Sequence, residues 1–282
     1  MTQGEATGKI SLVVADVDGT LVTAEKVLTA RAAKAVEALD ASNIGFAITS
    51  GRPPRGMAML IEPLNLRTPI AGFNGGIFVQ PDMIVLEQHL LAADAARRAQ
   101  DVILSMGLDV WVYCGNDWFV RDISAPHVAR EQWTVKFAPT VVGDFKELLA
   151  GAVKIVGVSD DFDLVARCEK ATQDALGAAA SAARSQPYYL DVTHPAANKG
   201  TVVTTLSKVL SVPTAEIATI GDMPNDVLMF RKSGVSIAMG NASTEVQRQA
   251  NFVTASYNDE GFAKAIENFI LHRGPASISE AG

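Results

Sequence analysis

Hydrophobic positions follow two different patterns along this chain. Near both ends, short apolar runs alternate with segments in which apolar residues recur every three to four positions, which predicts β-strands alternating with α-helices. In the N-terminal part, strands are predicted at Ile10–Ala15, Gly45–Thr49 and Thr68–Phe73, and a helix capped by Thr29 is predicted at Thr29–Ser42. Strands and helices in this order are typical of a parallel sheet with helices on both faces.

The same alternation returns after Lys199. Strands are predicted there at Glu216–Ile220 and Val235–Ala238, and helices at Gly200–Leu210, Asp226–Lys232, Thr244–Ala250 and Gly261–Leu271. A further helix is predicted to open with Pro53 and Pro54, because proline is favoured in the first helical turn. The tail after Arg273 is small and polar, so we expect it to be frayed.

The middle of the chain has hairpin signals instead. Ile77–Gln80 and Ile84–Gln88 flank Pro81-Asp82, which predicts a hairpin. Further strands are predicted at Asp109–Cys114, Trp118–Asp122, Val153–Val158, Ala179–Arg184 and Tyr188–Thr193, with helices at Ala92–Met106 and Phe162–Leu176. We therefore predict an α/β fold in which a Rossmann-like, three-layer core (residues 1–82 and 195–282) is interrupted by an α+β domain at residues 83–194.

Composition narrows the class of protein. Of 282 residues, 48% are hydrophobic and 20% are charged, which fits a folded domain with a full core rather than a disordered chain. The net charge is −7 and no run of Lys or Arg stands out, so nucleic acid and anionic membranes are not expected partners. No apolar stretch approaches the roughly 20 residues of a membrane span, and Met1–Lys9 lacks the apolar centre of a signal peptide. Cys114 and Cys168 lie far apart without metal-type spacing, which favours a reduced, cytoplasmic protein. None of these features indicates an oligomeric state.

The most informative segment is Asp16-Val17-Asp18-Gly19-Thr20, directly after the first predicted strand. Both carboxylates would stand at the carboxyl end of a parallel strand, where open α/β sheets bind ligands. Neighbouring carboxylates repel one another, so a cation or a shared proton is expected to offset their charge. The alternative is a plain strand-to-turn junction, because Asp-Gly is a common turn pair.

Three more polar segments follow predicted strands or open helices. Ser50-Gly51 offers a hydroxyl and backbone N–H groups that suit a phosphate, although an ordinary helix cap is the favoured explanation for an isolated Ser-Gly. Lys199 opens a helix against the preference of the helix dipole, which often indicates an anionic ligand, although a solvated surface lysine is the default interpretation. Asp222 and Asp226 again follow a strand; a cap explains Asn225 but not easily Asp222. Four such segments in this order point to phosphate chemistry.

Together these segments resemble the haloacid dehalogenase (HAD) superfamily of phosphohydrolases, and in particular its Cof-type sugar phosphatases of subclass IIB. The resemblance rests on Asp16–Leu21, Thr49–Arg52, Lys199 in Asn198-Lys199-Gly200, Gly221–Asp226, and the later segments 234–242 and 258–261. Ser50 stands where many relatives carry threonine, which keeps the hydroxyl. The insertion lies where this superfamily places a C2 cap, and its pattern of hairpins and helices resembles the C2B type.

The resemblance implies a role for each motif residue. Asp16 would be the nucleophile and Asp18 the general acid and base, with Ser50 and Lys199 completing the catalytic set. Mg²⁺ would bind the Asp16 carboxylate, the Asp18 backbone carbonyl and Asp222. Asp226, with Asn225 beside it, would orient Lys199 or a metal-bound water. Phosphate or substrate contacts are expected from Gly51, Arg52, Asn74 and Asn198.

The function implied is Mg²⁺-dependent hydrolysis of a small phosphorylated metabolite, with a sugar phosphate as the expected substrate. One alternative is a phosphosugar mutase of the phosphomannomutase type, which would need a more basic cap than this mixed-charge insertion. The other is a non-catalytic metabolite-binding protein, which the intact Asp16 and Asp18 argue against. Cap residues considered for specificity are Trp111, Arg184, Asp191 and His194, and none of them is assigned a role.

Overall fold

The computed structural model describes residues 8–272. The expected fraying after Arg273 and the first residues of the Met1–Lys9 segment lie outside this range. Within residues 8–272, no helix has both the length and the apolar character needed to cross a lipid bilayer.

Strands and helices have the following bounds. The strands are β1 (Leu12–Asp16), β2 (Gly45–Thr49), β3 (Ile70–Gly72), β4 (Ile77–Val79), β5 (Val85–Gln88), β6 (Asp109–Cys114), β7 (Asp117–Val120), β8 (Thr140–Val141), β9 (Ala152–Val158), β10 (Ser181–Gln186), β11 (Tyr189–Thr193), β12 (Ile217–Gly221), β13 (Val235–Ala238) and β14 (Phe252–Val253). The α-helices are α1 (Ala30–Ala41), α2 (Ala93–Ser105), α3 (Val128–Val135), α4 (Phe162–Leu176), α5 (Lys199–Leu210), α6 (Val227–Phe230), α7 (Thr244–Gln247) and α8 (Gly261–Ala265). Longer irregular helices are a 3₁₀-helix at Pro54–Leu60 and a π-helix at Ile266–Leu271.

The described chain divides into two compact units, and the first comprises residues 8–49, 60–69 and 199–272. Its strands form a parallel sheet in the order β14-β13-β12-β1-β2. All five residues of β1 are buried, as expected for an apolar strand inside a parallel sheet that is covered on both faces. The predicted α/β class with a parallel-sheet core is therefore confirmed.

Helix α1 begins where the sequence predicts. The Thr29 side chain accepts a hydrogen bond of 3.1 Å from the backbone N–H of Ala32, which satisfies one of the unpaired donors of the first turn. The helix buries Val36 and Leu39 on its apolar face. The loop between β1 and α1 carries part of the candidate site described below.

The second unit comprises residues 50–59 and 70–198. It contains the antiparallel ladder β3-β4-β5 and a six-stranded sheet in the order β10-β11-β9-β6-β7-β8, antiparallel except for the β7–β8 pair. Helices α2 and α4 contribute Ala99, Ile103, Val165 and Cys168 to the core beside this sheet. All strands of the six-stranded sheet fall inside the predicted insertion, whose boundaries at 83 and 194 stay a prediction.

Several helices differ from the predicted ones. The segment after Pro53 is a 3₁₀-helix, in keeping with two consecutive prolines and the poor helix former Gly56. The helix predicted at Asp226–Lys232 is the single turn α6, preceded by a 3₁₀ turn at Pro224–Asp226. Helix α6 ends before Gly234. At Gly234 the backbone passes so close to Ala215 that a Cβ would lie 1.9 Å from the Ala215 carbonyl oxygen, so only glycine fits there before β13 begins.

Both cysteines are free thiols, and their reactivity follows from their surroundings. Partial burial, helped by the charge of Asp117, raises the pKa of the Cys114 thiol from 9.0 to about 11. The thiol also donates a hydrogen bond of 3.2 Å to the Leu148 carbonyl. A rise of this size lowers the thiolate population near neutral pH by about 100-fold, and the thiolate is the nucleophile.

In a Cys168→Ser variant, we therefore expect iodoacetamide to alkylate Cys114 about 100-fold more slowly at pH 8 than it alkylates the same thiol in urea. Mass spectrometry of quenched time points measures both rates. Equal rates in the folded and unfolded protein would contradict the prediction.

Candidate active site

The candidate active site of the first unit lies at the carboxyl ends of two neighbouring strands. Asp16 is the last residue of β1, and Asp222 directly follows β12. These strands pair with Ala15 opposite Ile220, which brings both acids to the same edge of the sheet. Asp16, Asp222 and Asp226 each offer a carboxylate oxygen, and these oxygens lie within 4.8 Å of one another.

Lys199 joins this cluster from the first residue of α5. Its Nζ lies 2.7 Å from Asp16 Oδ1 and 2.5 Å from Asp226 Oδ1, and only 2% of its side chain is exposed. Burial alone would lower the pKa of the ammonium, but the charges and hydrogen bonds of Asp16 and Asp226 raise it above its ordinary value. The two carboxylates thus offset the unfavourable position of a cation at a helix N-terminus.

Asp226 is fully buried, and both of its carboxylate oxygens accept hydrogen bonds from other groups of the protein. Oδ2 accepts from the backbone N–H groups of Asp222 and Met223, both at 2.8 Å, while Oδ1 binds Lys199. A Cβ on Gly221 would lie 2.4 Å from Asp226 Cγ, so glycine is required where the carboxylate packs against β12. These contacts suit a carboxylate that orients Lys199 rather than one that binds a metal ion.

The remaining carboxylates suit a divalent cation. Burial, reinforced by the charge of Asp226, raises the pKa of Asp222 to about 6. Burial also raises the pKa of Asp16 well above its ordinary value, although Lys199 opposes the shift. Three buried carboxylates face one ammonium, and oxygen ligands with excess negative charge are those that Mg²⁺ prefers. The residues present therefore fit Mg²⁺, which Asp16 and Asp222 would hold.

Asp18 has a partner that the sequence did not predict. Lys26 Nζ lies 2.6 Å from Asp18 Oδ1, and the two side chains are 19% and 30% exposed. Lys26 adopts a left-handed backbone conformation (φ 63°) in a tight turn where its N–H donates to the Thr23 carbonyl. Neither periodicity nor motif spacing marks this lysine, because the turn alone brings it back to Asp18.

Two further residues that received no predicted role contact Asp222. Thr20 Oγ1 donates to Asp222 Oδ1 at 2.8 Å, and Asn241 Nδ2 donates to Asp222 Oδ2 at 3.2 Å. Asn241 follows β13, so the rule that singled out Asp222 (a polar residue at the carboxyl end of a parallel strand) would also have found it.

Ser50 of the predicted catalytic set and three predicted phosphate or substrate residues (Gly51, Arg52 and Asn74) lie together in the second unit. The backbone N–H of Ser50 donates to the Ala71 carbonyl at 3.1 Å, and the N–H of Asn74 donates to the Ser50 carbonyl at 2.8 Å. Asn74 has a left-handed conformation (φ 57°), and a Cβ on Gly51 would lie 3.6 Å from its side chain. The buried Arg52 donates from Nη1 to the carbonyls of Gly56 and Thr134.

The remaining predicted site residues are Asn198 and Asn225. Asn198 Nδ2 donates to the Pro195 and Ala196 carbonyls at 3.5 and 3.4 Å, and Asn225 is an exposed residue of the 3₁₀ turn before α6. The structure thus brings Asp16, Lys199, Asp222 and Asp226 together in the first unit. Among the cap residues considered, Arg184 pairs with Glu169, Asp191 pairs with Lys154, Trp111 packs on Trp118, and His194 stacks on His89.

Comparison with known proteins identifies the family of this chain. The sequence profile of the haloacid dehalogenase-like hydrolases matches residues 13–266. A Haemophilus influenzae protein provisionally named a phosphatase is 27% identical, over 90% of this chain and 96% of its own. The Bacillus subtilis 5-amino-6-(5-phospho-D-ribitylamino)uracil phosphatase YwtE is 23% identical, over 90% of this chain and 96% of its own.

A solved structure agrees with these sequence relatives. The HAD subclass IIB sugar phosphatase BT4131 superposes with a TM-score of 0.79, covering 92% of this chain and 98% of its own at 20% identity. At this identity the likeness concerns the fold. The motifs, the fold and the relatives lead to one conclusion: the chain belongs to the haloacid dehalogenase-like hydrolase family, and it is a phosphatase.

Proposed function

We propose that this enzyme is a Mg²⁺-dependent hydrolase of small phosphate monoesters, that its substrate carries the phosphate on a sugar or a sugar-like polyol, and that Asp16 is the nucleophile. The observation that carries the proposal is the buried contact of Lys199 with both Asp16 and Asp226, beside Asp222, at the ends of β1 and β12. A buried nucleophile paired with a cation is suited to an incoming phosphate, since charge stabilisation dominates phosphoryl transfer.

In the first step, an Asp16 carboxylate oxygen attacks the phosphorus and the bond to the ester oxygen breaks, which leaves an aspartyl-phosphate. Asp18 donates its proton to the departing alcohol oxygen. In the second step, water attacks the phosphorus, Asp18 takes a proton from that water, and inorganic phosphate leaves with the Asp16 carboxylate restored. Lys26, which contacts Asp18 Oδ1, would hold that carboxylate in one orientation.

Mg²⁺ would be held by the Asp16 and Asp222 carboxylates and the Asp18 carbonyl, and when bound it would offset negative charge on the phosphoryl group. Lys199 contributes a second positive charge and fixes the orientation of Asp16. Asp226, backed by the turn that contains Asn225, keeps Lys199 in place through its contact with Nζ.

The remaining motif residues receive proposed roles from the resemblance. The Ser50 hydroxyl and the Gly51 N–H would bind phosphoryl oxygens, and Asn74 and Asn198 would contact the phosphate or the substrate. Hydrogen bonds between the loop that begins at Ser50 and the loop at Asn74 support a rigid arrangement of these groups. Arg52, which is buried against two carbonyls, would keep this loop in shape and extend the positive charge near the phosphate.

The proposed substrate class has two supports. YwtE is named for a substrate whose phosphate sits on a ribityl chain, and BT4131 is named a sugar phosphatase. Both names describe a phosphate ester of a polyhydroxylated carbon chain. We also propose the cytoplasm as the compartment, with the two free thiols as support.

Phosphate release from a panel of compounds tests the proposal. The panel contains hexose, pentose and polyol monophosphates, nucleoside monophosphates and p-nitrophenyl phosphate, each assayed with Mg²⁺ and with EDTA. We expect release that requires Mg²⁺, with the highest kcat/KM among sugar and polyol phosphates. A preference for nucleotides would overturn the substrate class. Interconversion of hexose 1- and 6-phosphates without net release would favour the mutase instead.

A further inference from the structure

The two carboxylates proposed to bind Mg²⁺ are held in different ways. Asp16 is paired with the ammonium of Lys199, whereas both oxygens of Asp222 accept hydrogen bonds from neutral groups. Thr20 donates to Oδ1 and Asn241 donates to Oδ2. Neutral donors fix the direction of a carboxylate without cancelling its charge, so Asp222 keeps a negative charge that a cation can offset.

The amide of Asn241 does more than contact Asp222. Its Nδ2 also donates to the Gly19 carbonyl at 3.0 Å, and its Oδ1 accepts from the backbone N–H of Tyr257 at 3.2 Å. Turning the amide over would place its oxygen against two acceptors, so the contacts themselves fix its orientation. One side chain therefore joins the loop after β1 to the loop after β12.

The close approach of these two loops depends on Gly19. Its backbone is left-handed (φ 78°), and a Cβ there would lie 2.6 Å from Asp222 Oδ2. The Gly19 peptide directly follows Asp18, whose carbonyl is a proposed metal ligand. A side chain that holds the Gly19 carbonyl thus also restricts the orientation of the preceding peptide group.

The loop that carries Asn241 is itself well anchored. Gly240 donates to the Ala255 carbonyl at 3.0 Å, and a Cβ on Gly240 would lie 2.7 Å from the Ser256 nitrogen. The Gln247 side chain donates to the carbonyls of Gly240 and Ala242. Asn241 therefore extends from a fixed backbone, which is what a residue that positions others requires.

We infer that Asn241 is a positioning residue for Mg²⁺ binding, because its amide fixes the Gly19 carbonyl and the Asp222 carboxylate relative to each other. This inference rests on the proposed function, since it concerns the same metal. Asn241 is exposed as a residue, so truncating it should disturb the fold little while changing the geometry around the cation.

The test is the Mg²⁺ dissociation constant of an Asn241→Ala variant, measured by isothermal titration calorimetry without substrate. We expect affinity to fall between about tenfold and 100-fold, in line with the loss of groups that orient metal ligands. The unfolding midpoint in EDTA should stay close to that of the wild type. With p-nitrophenyl phosphate as substrate, the Mg²⁺ concentration that gives half-maximal kcat should rise by a similar factor.

Asn251 provides the matched control, because its side chain also makes hydrogen bonds but contacts none of the proposed metal ligands. Its Oδ1 accepts from the N–H and the hydroxyl of Ser236 in β13. Asn251→Ala should keep the wild-type Mg²⁺ affinity. An Asn241→Ala protein with wild-type Mg²⁺ affinity would overturn the inference and leave the phosphatase proposal intact. A wild-type protein that releases phosphate but binds no Mg²⁺ would overturn both the inference and the proposed metal. Absence of phosphate release would count against the proposed function alone.

Discussion

Asp16→Asn is expected to lower kcat by roughly 10⁴-fold or more, because an amide cannot form the proposed acyl-phosphate bond. The fold should be retained. An asparagine oxygen can still accept from Lys199, and the substitution removes one of three negative charges that are crowded together in a buried cluster. Stability in metal-free buffer should therefore be equal to or slightly above that of the wild type.

Two measurements separate a lost nucleophile from a lost fold. Rapid acid quenching with ³²P-labelled substrate should trap label on the wild-type protein and none on the variant, while circular dichroism follows thermal unfolding of both. Asp40→Asn is a suitable control, because Asp40 is an exposed acid of α1 in the same unit. Labelled phosphate on the Asp16→Asn protein, or turnover within about tenfold of the wild type, would show that another group is the nucleophile.

Lys199→Met should have the largest effect on stability. The substitution removes the ammonium between Asp16 and Asp226 and leaves two buried carboxylates without their cation. Breaking a buried ion pair from one side costs about 3–5 kcal/mol. Catalysis should be lost as well, because Asp16 would no longer be held in its ionised form beside the phosphate.

Urea unfolding in metal-free buffer gives the free energy of unfolding for Lys199→Met. Far-UV circular dichroism should be the probe, because Trp111, Trp118 and Trp133 all lie in the second unit, whereas Lys199 begins α5 in the first. Lys208→Met, on the exposed side of the same helix, should change stability by no more than about 0.5 kcal/mol. If Lys199→Met costs less than about 1 kcal/mol, the buried ion pair does not stabilise the protein as described.

Much of the fold followed from simple patterns. β2, β13 and α4 have the predicted bounds, because each is an apolar or amphipathic segment between clear turn residues. Helix α3 was missed. It is short (Val128–Val135), and the residue before it, His127, has a left-handed conformation and provides no side-chain cap, so the usual signal of a helix start is missing. Tertiary contacts stabilise it instead, such as the hydrogen bond between Tyr113 and Glu131.

The candidate site could be predicted only in part. Asp16, Lys199, Asp222 and Asp226 stand at strand ends or at a helix start, so the order of elements already brings them together. Lys26 contacts Asp18 from a tight turn, and Asn241 contacts Asp222 from the loop after β13. Asn241 follows a parallel strand, so its position could have been predicted from the order of elements. Lys26 is a polar turn residue without a periodic signal, and its partner is set by how the turn folds back, which local sequence does not reveal.

The position of β1 in the sheet has a consequence for when the enzyme first becomes active. One neighbour, β2, follows it closely in the chain, but the other is β12, where Leu12 pairs with Ile217. Closing so long a loop is entropically costly, and pairings of distant segments form slowly. Asp16, the proposed nucleophile, is synthesised long before Lys199 and Asp222, which complete the proposed site. The site can therefore assemble only after β12 and the residues that follow it directly have been made. On refolding from urea, catalytic activity should return later than helical signal does.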